Sequence, residues 1–340
     1  GLRRPIRGFT FQIDTGDSPP VCCKTPRYGA FESKTMTKLC NALEHNGLIE
    51  DDDGPYGAII VLAAKPNQGD VPADQFKWRL CVSYRRLNQV TRPFAFPMPR
   101  CDDAVEEIDA AARFFISIDL DSGYWQVVAD EGARTRLAFF TPEGKKRWKV
   151  MPMGALNSAA TFVAMMTKLQ HKWDAITKSQ GIAGVGTKVI VDDVFVYGAT
   201  ADALLLYFRV VLDILQVHRA TVNLKKCKFF HSKCEFVGID IVPEGNKPAE
   251  SKYAAFEKLQ RPVTFGDLRM IIGLFGFYSK HIALFEERIR PFRTILTQQP
   301  KPGEVSHADE RRLVTSLWTA EHTTILQDLK SAILAGPTLA

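Results

Sequence analysis

Val189-Ile190-Val191-Asp192-Asp193-Val194-Phe195-Val196-Tyr197 places two adjacent aspartates inside a run of β-branched and aromatic residues. Such residues favour strands, and the apolar flanks predict a β-hairpin packed on a core with the acids at its tip. Gly181, Gly184 and Gly186 come before the run and Gly198 closes it. A carboxylate pair there is costly, because like charges repel and partial burial strips their water. A divalent cation removes that cost, and hard oxygen ligands favour Mg2+ or Mn2+. An isolated Asp-Asp pair is more often a solvated turn. The metal reading therefore requires a third carboxylate on a neighbouring strand.

Phe114–Leu120, FFISIDL, supplies it in Asp119, an acid near the end of an apolar strand and some seventy residues upstream of the pair. Gly123, Tyr124 and Trp125 follow, then short strands around 126–129 and 137–140. The loop Met151-Pro152-Met153-Gly154-Ala155 precedes a helix from about Ser158 to Trp173, and Ala201–Val217 reads as a second amphipathic helix.

Upstream of Asp119, residues 1–30 are proline-punctuated and read as an extended arm, and a helix is expected from Ser33 to about Gly47. Strands at Ala58–Ala64 and Trp78–Tyr84 form a hairpin whose long crown carries Lys65, Lys77 and Arg79. These cations are either solvated charge or a phosphate clamp, for which arginine offers a forked donor set. Pro93, Pro97 and Pro99 mark an extended crossing, followed by a helix over 102–112. Downstream, Asn223–Phe230 carries three lysines, and Cys234–Val242 reads as one strand containing Gly238. From Asn246 the pattern turns helical. The nine Lys/Arg of residues 247–300 outnumber five acids and hold most of the chain's net charge of +6. That concentration fits a grip on a phosphate backbone as well as a plain soluble helical surface. A polar linker and a helix over Thr319–Leu334 complete the chain.

With 340 residues, two or three subdomains are expected, and 46% hydrophobic with 24% charged residues is an ordinary globular balance. Seven cysteines without a CxxC pair fit reduced thiols in an intracellular compartment. Cys227, His231 and Cys234 cluster but lack the fourth ligand of a zinc site. No apolar run reaches the ~20 residues that span a bilayer, so no membrane partner is expected. The first residue is not Met, which is expected of a fragment or processed product.

One acid ending a strand, two more on a distant hairpin and a basic helical segment beyond them suit two-metal nucleotidyl transfer, which needs carboxylates from neighbouring strands. The sequence resembles the reverse transcriptases of gypsy-type LTR retrotransposons and, more distantly, of retroviruses. The resemblance is carried by IDTGDSPP at 13–20, WRLCVSYRRLN at 78–88, FPMPR at 96–100 and SIDLDSGYWQV at 117–127. It continues through VMPMGALNSAATF at 150–162, VIVDDVFVY at 189–197, LKKCKFF at 224–230, EFVGIDIVPEG at 235–245, the thumb-like run at 261–282 and the closing KSAILAGPTLA.

The resemblance implies an α+β right hand: an arm (1–30), fingers (31–100), palm (101–245, with a fingers return around 130–160), a helical thumb (246–300) and the start of a connection (301–340). The family's protease and RNase H domains would lie outside this stretch. It implies that Asp119, Asp192 and Asp193, with the Leu120 carbonyl, hold two Mg2+ or Mn2+ ions. Arg79, with Lys65 as a looser companion, would meet the incoming triphosphate, and Tyr124 would be the gate that excludes a ribose 2′-hydroxyl. Met153 and Gly154 would lie beneath the nucleotide, and Phe236, Val237 and Gly238 would form the primer grip. Implied partners are RNA template, DNA primer/template, RNA–DNA hybrid, dNTPs and other parts of a Gag-Pol polyprotein, in cytoplasm, virus-like particle or nucleus. The oligomeric state stays open. Ile190, Ser83, Ala155, Ala159 and Asp121 depart from the family pattern without removing a metal ligand. An RNA-dependent RNA polymerase is disfavoured by the aromatic Tyr124, and a non-catalytic nucleic-acid-binding or scaffold protein remains the alternative.

Overall fold

The structure, a computed structural model, describes residues 5–65, 77–191, 193–242, 245–298 and 307–335. In chain order come β1 (Thr10–Phe11), α1 (Ala30–His45), β2 (Ile49–Asp51), β3 (Ile59–Ala64), β4 (Trp78–Ser83), α2 (Arg85–Val90), α3 (Cys101–Glu106) and β5 (Phe114–Asp119). After a 3-10 turn, Gly123–Gln126, follow β6 (Val128–Ala129), α4 (Glu131–Arg136), β7 (Ala138–Thr141), β8 (Gly144–Trp148), α5 (Ser158–Ser179), β9 (Val185–Ile190), β10 (Asp193–Gly198) and α6 (Ala201–Val217). The chain continues with β11 (Lys228–His231), β12 (Cys234–Phe236), β13 (Ile239–Val242), β14 (Gly245–Pro248), α7 (Glu250–Glu257), α8 (Phe265–Phe277), α9 (Phe285–Leu296), α10 (His307–Glu310) and α11 (Ala320–Leu334).

These elements form two units, one of Gly1–Pro99, Ile118–Val196 and Asp202–Cys227, the other of Arg100–Ser117, Tyr197–Ala201 and Lys228–Ala340. In the first unit α5 buries Phe162, Met166, Leu169 and Trp173 at helical spacing, and α6 buries Leu204, Tyr207, Val211 and Leu215. A polar chain, buried at Thr187 and Tyr207 and ending on the exposed Asp174, ties them to β9: Thr187 Oγ1 lies 2.6 Å from the Tyr207 hydroxyl, which donates to Asp174 Oδ1 at 2.7 Å. Satisfied in this way, the two buried hydroxyls cost little to bury, and the chain fixes the two helices' register on the sheet. A second sheet, β2-β8-β7, sets Glu50 opposite Arg147 and Asp51 opposite Lys146. Opposite charges on facing positions support that register.

In the second unit, β12-β13-β14 forms an antiparallel meander, and helices α7, α8, α9 and α11 bury Phe256, Phe265, Phe275 and Phe292. α11 is fastened to the end of α7 by Lys330, whose ammonium donates to the carbonyls of Glu257 and Leu259 at 2.9 and 3.2 Å. A lysine here satisfies carbonyls that a helix terminus leaves without intrahelical partners.

Several expectations need correction. The stretch expected as one strand, Cys234–Val242, is a hairpin, because Val237 and Gly238 both take left-handed φ values of 45° and 83° and reverse the chain. β14 occupies residues expected to be helical. The helix expected over 102–112 stops at Glu106, and the Asp109 carboxylate accepts from Ala111 N at 2.8 Å, a local bond that competes with helix. α2, α4 and β8 were absent from the expected elements; α4 is opened by Asp130, whose side chain accepts from Ala133 N at 2.7 Å. Among the described residues no helix is long and apolar enough to cross a membrane.

Candidate functional site

Asp119 is the last residue of β5 and Asp193 the first of β10, and these strands are neighbours in the sheet β11-β5-β10-β9. Arg113 N, just before β5, donates to the carbonyl of Gly198, the last residue of β10, at 2.9 Å. The strands therefore run antiparallel, and the ends bearing Asp119 and Asp193 share one edge. Asp192 lies outside the described residues. β9 and β10 are separated by two residues, and the first, Val191, sits at φ 53°. A β-branched residue held left-handed costs about 1–3 kcal/mol, a strain that persists only where the surroundings enforce it.

Asp119 is reached from a second direction by the segment after α6. Asn223 N donates to the Asp119 carbonyl at 2.8 Å, and Asp121 N to the Thr221 carbonyl at 2.9 Å. These bonds flank a Leu120–Val222 bridge. Alternation along a strand then turns the Leu120 carbonyl to the opposite side, away from residues 221–223. The same segment delivers Lys226, whose ammonium stands 3.3 Å from Asp119 Oδ2, with the carboxylate 28% and the lysine 65% exposed. Hard oxygen donors at the edge of an apolar strand fit a Mg2+-type ion. Among the described residues no three metal-ligating side chains converge, and the constellation of three acids includes Asp192. Cys227, His231 and Cys234 form no such group either; burial pushes the Cys234 thiol up to about 11.

Tyr124 lies on the 3-10 turn beyond Asp119, its ring stacked on Phe162 of α5 with centroids 5.0 Å apart and planes 4° apart. Gly123 makes room for that stack: a Cβ there would come within 2.8 Å of the Phe162 ring. The turn is closed by Gln126, 1% exposed. Met153 and Gly154 sit on the loop before α5; Met153 is 64% exposed and Gly154 takes φ 88°. Asn88, from the end of α2, holds this loop by donating to the Gly154 carbonyl at 3.0 Å and accepting from Leu156 N at 2.9 Å.

On the β3–β4 hairpin Arg79 faces Ala63, and Lys65 N donates to the Lys77 carbonyl at 2.9 Å. Continuing that register places Lys65, Lys77 and Arg79 on one face of the hairpin, because facing residues and alternate residues share a side. In the second unit, Phe236 is buried and precedes the Val237–Gly238 turn. The Gly238 carbonyl accepts from the Tyr278 hydroxyl and from Ala249 N, both at 3.0 Å. Burial raises Tyr278 to about 12, so its hydroxyl remains a donor at any physiological pH.

Sequence reasoning assigned no role to Lys226, Asn88, Gln126 or Tyr278. Each lies inside a stretch already singled out, yet its role is a contact across the chain. Lone lysines, amides and phenols carry no spacing signal of their own.

Residues 65–241, just over half the chain, match the family Reverse transcriptase (RNA-dependent DNA polymerase). The Retrovirus-related Pol polyproteins from transposons 297 and gypsy of Drosophila melanogaster are each 26% identical to it, over 96% and 84% of this chain. The chain spans 28% and 27% of those relatives' lengths. A foamy viral protease-reverse transcriptase solved with double-stranded DNA superposes with a TM-score of 0.81 at 21% identity, covering 98% of this chain and 54% of that one. The likeness fixes the fold as the expected α+β right hand. A family match across more than half of the residues, carried on that fold, makes this chain a member of the reverse transcriptase family.

Proposed function

We propose that this chain is the polymerase portion of a retroelement Pol polyprotein: an RNA- and DNA-templated DNA polymerase that adds dNTPs to a primer 3′-hydroxyl. The observation that carries this reading is that the strand ends bearing Asp119 and Asp193 lie at the same end of neighbouring antiparallel β5 and β10, next to the strained Val191, in a reverse transcriptase family member. Asp119, Asp192, Asp193 and the Leu120 carbonyl would hold two Mg2+ or Mn2+ ions. When bound, such ions lower the pKa of the attacking hydroxyl and neutralise the leaving pyrophosphate. The residue roles are those the family resemblance implies. Lys65, Lys77 and Arg79 present positive charge to the triphosphate from one hairpin face, Tyr124 closes the space beside the sugar C2′, and Met153 and Gly154 floor the nucleotide. The Lys/Arg-rich stretch 247–300 and the Phe236–Gly238 hairpin bind the primer–template backbone, so binding weakens steeply with salt.

Primer extension on RNA and on DNA templates tests the reading. The expected result is dNTP addition with Mg2+ or Mn2+, abolished in Asp119→Asn and in Asp192→Asn. Salt-sensitive binding of primer–template without extension in either metal identifies a non-catalytic nucleic-acid-binding protein instead. Incorporation of rNTPs as readily as dNTPs makes it an RNA polymerase.

A further inference from the structure

Gln126 is 1% exposed, and every hydrogen-bonding atom of its side chain is used. Nε2 donates to the Asp121 carbonyl at 2.9 Å and to the Thr221 carbonyl at 2.8 Å, while Oε1 accepts from Thr221 N at 2.7 Å. Its backbone carbonyl accepts from Ile6 N of the arm at 2.8 Å. One amide thus joins the residue two beyond Asp119 to the segment that bonds the Asp119 backbone and presents Lys226. It does so from the turn that carries Tyr124, two residues away. A buried amide with both donors and its acceptor occupied has one orientation, because rotating it strands at least two buried polar groups.

We propose that Gln126 is a positioning residue for sugar selection, fixing the distance between the Tyr124 ring and the Asp119 end of β5. The inference rests on the polymerase reading of this site. Phe162 supports the ring from below through stacking, which limits tilt but leaves sliding along the plate open. The Gln126 bonds stop that sliding, because they anchor the turn to the backbone of Asp121, two residues beyond Asp119, and of Thr221 in the segment paired with it. If the turn drifts away from β5, space opens where a 2′-hydroxyl would sit, and rNTPs gain more than dNTPs lose.

The test compares Gln126→Met and Gln126→Glu with the parent chain, measuring kcat and KM for matched dNTP and rNTP. Methionine keeps the bulk but loses all three bonds, and the dNTP preference is expected to fall roughly tenfold or more through rNTP KM. Glutamate keeps the acceptor. Buried against two carbonyls, it favours its protonated form, which returns one donor. The dNTP preference of Gln126→Glu is therefore expected to recover as pH falls, a rescue that a purely structural loss does not give. In a Tyr124→Val background, Gln126→Met is expected to leave selectivity unchanged, because the gate it positions is gone. If Gln126→Met melts at the assay temperature, Gln126→Glu alone carries the pH test.

Unaltered selectivity in folded Gln126 variants, or an equal loss in the Tyr124→Val background, overturns the inference and leaves the polymerase reading intact. A parent chain that extends no primer overturns both.

Discussion

The Lys226 ammonium lies 3.3 Å from the Asp119 carboxylate across 107 residues of chain, where two backbone bonds bring residues 221–223 alongside the end of β5. The lysine is largely exposed, and a pair of this kind contributes at most about 1 kcal/mol. It balances Asp119 without locking it, and an ion binding there competes with the ammonium. Lys226→Met is expected to lower the Mg2+ concentration for half-maximal extension by up to about fivefold at low salt, with little change in Tm. A Mg2+ titration of primer extension checks this, and an unchanged midpoint counts against the competition.

The Tyr124–Phe162 stack makes a second prediction. The rings are nearly parallel and Phe162 is fully buried, so the proposed gate, Tyr124, is supported from the core of α5. Phe162→Leu keeps most of the apolar volume and removes the flat support, costing about 1 kcal/mol of stability. The expected signature is a larger effect on the dNTP-to-rNTP incorporation ratio than on dNTP turnover. Single-nucleotide incorporation beside a thermal melt separates the two.

How far the sequence reveals this molecule depends on whether a signal is periodic or cross-chain. α5 and α6 are legible because Phe162, Met166, Leu169 and Trp173, and likewise Leu204, Tyr207, Val211 and Leu215, recur at helical spacing. The β9–β10 hairpin is legible because acids interrupt an otherwise apolar run. The 234–242 stretch misleads because Val237 in a left-handed turn contradicts its strand propensity, and only the tertiary setting pays for it. α2 is too short to show a period. The site residues that were missed act through bonds to backbone atoms far along the chain: Gln126 to Thr221, Asn88 to Gly154, Tyr278 to Gly238. No one-dimensional pattern records such pairs.

Tyr278 and Gly238 carry a third prediction. The Gly238 carbonyl holds two donors, so Tyr278→Phe removes one and leaves the bond from Ala249 N. The loss is about 1 kcal/mol, the net contribution of one such bond. If this hairpin contacts the primer end as proposed, the variant binds primer–template more weakly while dNTP affinity is unchanged. A KM for primer–template raised several-fold at constant dNTP KM is expected, and equal rises in both would assign Tyr278 to general stability instead.

Asp267 opens α8 in a reciprocal box with Thr264: Asp267 N donates to Thr264 Oγ1 at 3.1 Å, while Asp267 Oδ2 accepts from Thr264 N at 2.8 Å and from Val263 N at 3.1 Å. The Thr264 backbone donor, followed by its side chain and Val263 N, outweighs burial and holds the Asp267 carboxyl below its ordinary value. A lowered folded pKa means that the ionised form stabilises the helix at any pH above the unfolded value, near 3.9, and that this contribution disappears as pH falls through the folded value. Asp267→Asn keeps an acceptor but loses the charge beside the helix N-terminus, a loss of about 0.5–1 kcal/mol near neutral pH. The difference between parent and variant is expected to persist down to about pH 5 and to shrink below about pH 4. Urea unfolding at a series of pH values measures it, and a pH-independent difference would show that packing, not charge, sets the contribution of this cap.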